Sequence, residues 1–172
     1  MNKYFTPRNI FIVSALFVAI AGRLIPHAPN FTPIAAMALF GGATLSNKRL
    51  AFVLPLIAMF ISDLIIGFHS TMWAVYIAFA ITVFIGTKIN GKVNPLNVIT
   101  ASIASSSLFF IITNFAVWLG STFYPQNLSG LVECYIAAIP FFNNGLVGDL
   151  FYSGILFTVY TLVIQRFPQL AK

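Results

Sequence analysis

The sequence predicts an all-α protein: an integral membrane bundle of six transmembrane helices, with both termini cytoplasmic and a short second helix. Three observations carry this. Of the 172 residues, 59% are hydrophobic and 7% charged, against about 25% charged in soluble domains, and the mean hydropathy is +0.94. The apolar residues fall into six runs separated by short polar gaps. Lysine and arginine occupy alternate gaps. With a cytoplasmic N-terminus, Lys3, Arg8, Lys48, Arg49, Lys88, Lys92, Arg166 and Lys172 lie inside, and Arg23 alone lies outside. That bias orients a multi-pass protein of the plasma membrane. No linker divides residues 1–172, so they read as a single transmembrane domain.

In order, the predicted helices cover 8–25, 32–46, 50–67, 72–89, 96–120 and 144–166. The first follows a basic start, "MNKYFTPRN". Ala19-Ile20-Ala21 matches a signal-peptidase site, and cleavage there would remove helix 1 without reorienting the rest. Pro26 terminates helix 1, and Thr32-Pro33 reads as an N-cap followed by proline at the first helical position. Helix 2 spans about 20 Å, short of the ~30 Å hydrocarbon core, so its outer end sits below the lipid surface or is shielded by neighbouring helices. Residues 129–139, "GLVECYIAAI" behind Ser129, read as a separate short helix capped by that serine and ended by Pro140, lying in the outer loop where it could cover a cavity as a lid.

The three acids, Asp63, Glu133 and Asp149, all fall in outer loops or outer helix ends. An acid inside an apolar helix is costly and normally faces a cavity or a partner. Asp63, Asn114 and Asp149 sit at comparable depths on helices 3, 5 and 6, which predicts a shared outward cavity. An Arg23–Asp63 pair or an Asp63–Asn114 hydrogen bond is the structural alternative. The loop "IPHAPNFTP" would wall that cavity with His27, Asn30 and Thr32, joined by His69 and by Asn144 at the start of helix 6. The helix 2 N-terminus, with free backbone N–H groups, would favour an anionic group. No metal site is predicted, because neither histidine stands in a ligand spacing and Cys134 is the one cysteine. The basic residues form no stripe, so no nucleic-acid partner is expected. No cofactor is expected either. Ala15 and Ala19, spaced i and i+4, would let another helix approach closely, from outside or from within the bundle.

The segments "PHAPNFTPIAAMALFGGA", "ISDLIIGFH", "FFIITNFAVWLG" and "YPQNLSGLVECYIAAIPFFNNGLVGDLFY" resemble an uncharacterised bacterial family of small membrane proteins. That family is similar to the S components of energy-coupling factor transporters. The resemblance covers nearly the whole chain. It implies a six-helix, S-component-like fold with an outward pocket closed by the outer loops. It also implies a vitamin or metal ion as cargo, and docking on a transmembrane coupling subunit driven by two ATPases. Ala15 and Ala19 match the alanine-x-x-x-alanine docking motif of such proteins. A relative handles cobalamin through a cysteine, a role not carried to Cys134.

The expected function is therefore capture of a vitamin-like small molecule for import, and not enzymatic. The chain has no G-x-x-x-x-G-K-[ST] sequence, so ATP would be handled by other subunits. Two alternatives remain at this stage. One is an intramembrane enzyme using Asp63 and Asp149 as an aspartyl pair, although the second glycine of a G-x-G-D motif is missing. The other is an assembly protein whose outer polar groups only join helices.

Overall fold

The computed structural model describes residues 7–120 and 122–166, apart from the side chains of residues 7–13, 15 and 16. Lys3 and Lys172, the side chains of Arg8 and Ala15, and the residues at the extreme termini lie outside that description. Among the described residues there are six helices: α1 Pro7–Leu24, α2 Ile34–Thr44, α3 Lys48–Ile66, α4 Met72–Lys88, α5 Pro95–Gly120 and α6 Leu128–Arg166. By length and composition α3, α5 and α6 can each cross a membrane, and α2 and α4 are shorter apolar helices.

The packing is that of a protein surrounded by lipid. The buried positions are mostly small: Ala38, Ala51, Ala58 and Ala74 on three helices, with Ser62, Ser102, Ser105 and Ser153. Large apolar side chains point outward instead, with Ile65 65%, Leu64 58% and Leu162 60% exposed. In water this arrangement would leave an aggregating surface. In a bilayer, where tails are as apolar as leucine, small interior residues allow close backbone approach and give the helices their contact. The three membrane-length helices and this small-inside, large-outside pattern together make the chain a membrane protein.

Contacts between helices fix their relative directions. Arg23 at the end of α1 meets Ser62 and Asp63 near the end of α3, so α1 and α3 run parallel. Gly42 and Gly86 meet near the ends of α2 and α4. Phe31 meets Tyr152 and Phe40 meets Tyr160, which aligns α2 with α6. The pairs Ser102–Ser153 and Ser106–Asp149 make α5 and α6 antiparallel. Odd helices thus run one way and even helices the other. The α1–α2, α3–α4 and α5–α6 connections gather at one end, called the loop end below.

The opposite end carries Lys48, Arg49, Lys88, Lys92 and Arg166, and its turns are tied tightly. Asn47 caps α3, its side chain accepting from the N–H groups of Arg49 and Leu50. The last carbonyls of α2 are taken by Lys48 Nζ, which donates to Gly42 and Leu45, and by Asn90 Nδ2, which donates to Ala43 at 2.7 Å. The α2–α4 crossing is closest at two glycines. A Cβ on Gly42 would lie 2.1 Å from the Val83 carbonyl oxygen, and one on Gly86 2.2 Å from that of Leu39.

Three sequence expectations change. Helix 2 begins at Ile34 with Pro33 in the cap position, and no side chain caps it. The Thr32 N–H bonds the Asn30 carbonyl, and Asn30 adopts φ 65°, a left-handed turn that asparagine tolerates. Thr32 is therefore part of the turn and not the cap. The short helix 129–139 is not separate: it runs without a break into helix 6, and Pro140 lies inside the 39-residue α6. A proline removes one backbone bond, which long apolar helices tolerate where neighbours surround them. Here Phe110 of α5 packs against both Tyr135 and Phe142, on either side of Pro140. The cap of α6 is Asn127, whose Oδ1 accepts from Gly130 N–H at 2.9 Å, whereas Ser129 bonds Glu133.

Candidate ligand cavity at the loop end

The loop "IPHAPNFTP" is held down on α6. Phe31 packs against Phe151 and Tyr152, and its Cα would lie 3.2 Å from a Cβ on Gly148. Gly145 faces Asn30 in the same way, at an ordinary contact distance. On the other side Pro33 presses onto Gly22 of α1, where a Cβ would come within 2.6 Å. The loop and the start of α2 are thus wedged between α1 and α6, and glycines on both helices make the room.

Beside this wedge opens a cavity of about 600 Å³ to which all six helices or their loop-end connections contribute. Its floor is buried: Met59 of α3, Ser106 of α5 and Asp149 of α6. Phe109 and Phe110 of α5 and Phe142 of α6 form apolar walls, with Thr113 and Asn114 above them. The rim carries His27, Asn30 and His69, all exposed. Thr32 and Ala35 bring the uncapped start of α2 to the wall.

Of the residues expected from sequence, His27, Asn30, Thr32, His69, Asn114 and Asp149 all line this one cavity. Asp63 and Asn144 are not among its lining residues. Asp63 is 1% exposed and lies behind Arg23, whose Nη1 is 2.7 Å from Asp63 Oδ1. The contact is ionic and not a directed hydrogen bond, since Oδ1 accepts none. The Nη1 protons are aimed at Ser62 Oγ, at 2.6 Å, and at the Met59 carbonyl and sulfur. Asp63 Oδ2 accepts from Tyr76 Oη at 3.0 Å. Its surroundings therefore make Asp63 a positioning residue that anchors Arg23, and it is Arg23 that reaches the cavity. Asp63 and Asp149 share no hydrogen bond, and each is held by its own partners.

Several lining groups keep hydrogen-bonding capacity. Arg23 Nε and Nη2 have no partner among the described residues. Asn114 donates to the Phe110 carbonyl at 2.8 Å, which leaves its amide oxygen unpaired. Asp149 Oδ2 is bonded by Ser106 Oγ at 2.6 Å, and Oδ1 has no partner among the described residues. Ser106 has one proton and two acceptors in reach, Asp149 and the Ser102 carbonyl at 3.0 Å. The shorter contact, to Asp149, takes it. The rim histidines use Nδ1 locally, His27 with the Ile25 carbonyl and His69 with Thr71.

Arg23, Ser106, Phe109 and Thr113 were not among the lining residues expected from sequence, although the Arg23–Asp63 pair offered there as the structural alternative is present. The signal for Arg23 was its isolation as the one outer cation. For Ser106 it was spacing: Ser102 and Ser106 on α5 face Ser153 and Asp149 on α6, four apart on each helix. Of the docking pair, Ala19 is buried in the core cluster with Ile34, Ala51 and Ala58, and the Ala15 side chain lies outside the described residues. Among the described residues no group of three His, Cys, Asp or Glu side chains could hold a metal ion.

Fold and cavity together define a small helical membrane protein with a many-walled recess at one end, apolar-walled with a few polar groups. The chain belongs to a family described as a family of unknown function (DUF6580), whose profile matches residues 3–170. No curated protein and no solved structure matches it.

Proposed function

We propose that the protein is the substrate-binding membrane component of a micronutrient importer, and that it captures a vitamin-like small molecule in the loop-end cavity. The observation that carries this reading is the unused hydrogen-bonding capacity of Arg23, Asn114 and Asp149 around one recess of about 600 Å³. Structural networks consume their donors and acceptors, and recesses of this size with a few convergent polar groups suit small ligands. His27, Asn30, Thr32 and His69 complete the site at the rim, and Asp63 acts through Arg23.

In this reading all six helices span the plasma membrane with both termini cytoplasmic. The basic end, with Lys48, Arg49, Lys88, Lys92 and Arg166, faces the cytoplasm, and the cavity faces outward. Release on the inner side needs an energy source, which a transmembrane coupling subunit with its ATPases would supply. The aspartyl-pair alternative loses its footing, because Asp63 is committed to Arg23 and Tyr76.

The test is mass spectrometry of small molecules released from gently purified protein. A single compound at a fixed ratio to protein is expected. The proposal fails if the preparation is empty and its melting temperature is unmoved by a low-molecular-mass extract of the growth medium.

A further inference from the structure

The charges around the cavity do not balance. Arg23 and Asp63 neutralise one another at 2.7 Å. Asp149, 8% exposed on the floor, has no cationic partner among the described residues. Ser106 satisfies one of its oxygens, and the other is unpaired at the cavity. A carboxylate in a recess lined by Phe109, Phe110 and Phe142 is costly unless a positive group or a proton meets it. Phenylalanine rings lining the same recess could add cation–π attraction for that same group. A bare metal ion does not fit, because the described residues offer no set of three ligating side chains and the recess is far larger than an ion needs.

We infer that the cavity selects an organic cation: a ligand whose protonated nitrogen rests on Asp149 Oδ1 while its apolar or aromatic body lies against Phe109, Phe110 and Phe142. This rests on the capture reading and narrows its substrate class. Asp149 supplies the charge recognition, Ser106 holds the carboxylate in place, and the aromatic walls exclude water, so that the pair forms in a low-dielectric setting.

The full-length protein in detergent would be titrated with three probes of nearly equal shape, phenethylamine, phenethyl alcohol and phenylacetate, and followed by thermal shift and saturation-transfer NMR. The amine is expected to bind and raise the melting temperature, with the alcohol and the acid at least about tenfold weaker. Asp149→Asn, which keeps the Ser106 bond, should remove the preference for the amine, and Asp149→Glu should retain part of it. Phenylacetate binding as well as the amine, no response to any probe at millimolar concentration, or an unchanged preference in Asp149→Asn would overturn the inference. The wild-type comparison needs no variant to fold. A compound without a basic nitrogen released from the wild type would defeat this inference and leave the capture reading standing.

Discussion

Arg23→Ala is expected to be among the most damaging single changes outside the tight helix crossings, lowering stability by about 3–5 kcal/mol. The substitution strands Asp63, 1% exposed and otherwise held only by Tyr76, as an uncompensated buried charge. Ser62 survives the loss, because its hydroxyl also reaches the carbonyls of Ala58 and Met59. Thermal unfolding in detergent reads the effect. A variant that removes all three polar partners, Arg23→Met with Asp63→Leu and Tyr76→Phe, should recover most of the lost stability, since buried pairs are replaceable by apolar groups of similar volume. It should still capture ligand poorly, because Arg23 no longer offers Nε and Nη2 to the cavity. A triple variant as unstable as Arg23→Ala would mean that the damage has another source.

Gly86→Val is the second. The added carbon would meet the Leu39 carbonyl at 2.2 Å and Gly42 Cα at 3.0 Å, both backbone atoms that cannot swing aside. Overpacking costs about 1–3 kcal/mol where side chains can yield, and here only movement of a whole helix relieves the clash. The expected result is loss of folded protein or a melting temperature lowered beyond that of any cavity variant, measured by fluorescence-detected size exclusion with heating. Gly86→Ala places the same Cβ against the Leu39 carbonyl, so it should already be strongly destabilised, with valine's extra methyls adding to the loss. Wild-type behaviour of Gly86→Val would show that α2 and α4 do not cross as described.

Hydropathy and the placing of lysine and arginine made most helix ends legible from sequence, because both follow from local composition. What the sequence could not decide was which polar groups meet. Asp63 read as a ligand contact with an Arg23–Asp63 pair as the alternative, and the choice between them waited on packing, since Arg23 lies forty positions earlier on another helix. Asp149 read as equal to Asp63 by depth, and the structure separates them: one is ion-paired, the other has a free oxygen. Pro140 read as a helix end because proline ends helices in water, whereas α6 continues through it beside Phe110 and Phe142. Gly42 and Gly86 gave no sign of their contact, since a glycine in an apolar run looks the same whether it faces a helix or lipid. Of the small-residue pair on helix 1, Ala19 packs into the protein's own core.

The central claim is that a small molecule is held in the recess between α5, α6 and the "IPHAPNFTP" loop. Native mass spectrometry of the wild type beside Thr113→Trp tests it most directly. Thr113 lines the recess, and among the described residues its hydroxyl bonds only its own helix, through the Phe109 carbonyl, so an indole there fills the space without breaking a hydrogen bond between helices. One bound molecule per wild-type chain and none on a folded Thr113→Trp chain is the predicted result. The same bound mass on both chains would place the molecule elsewhere and contradict the account.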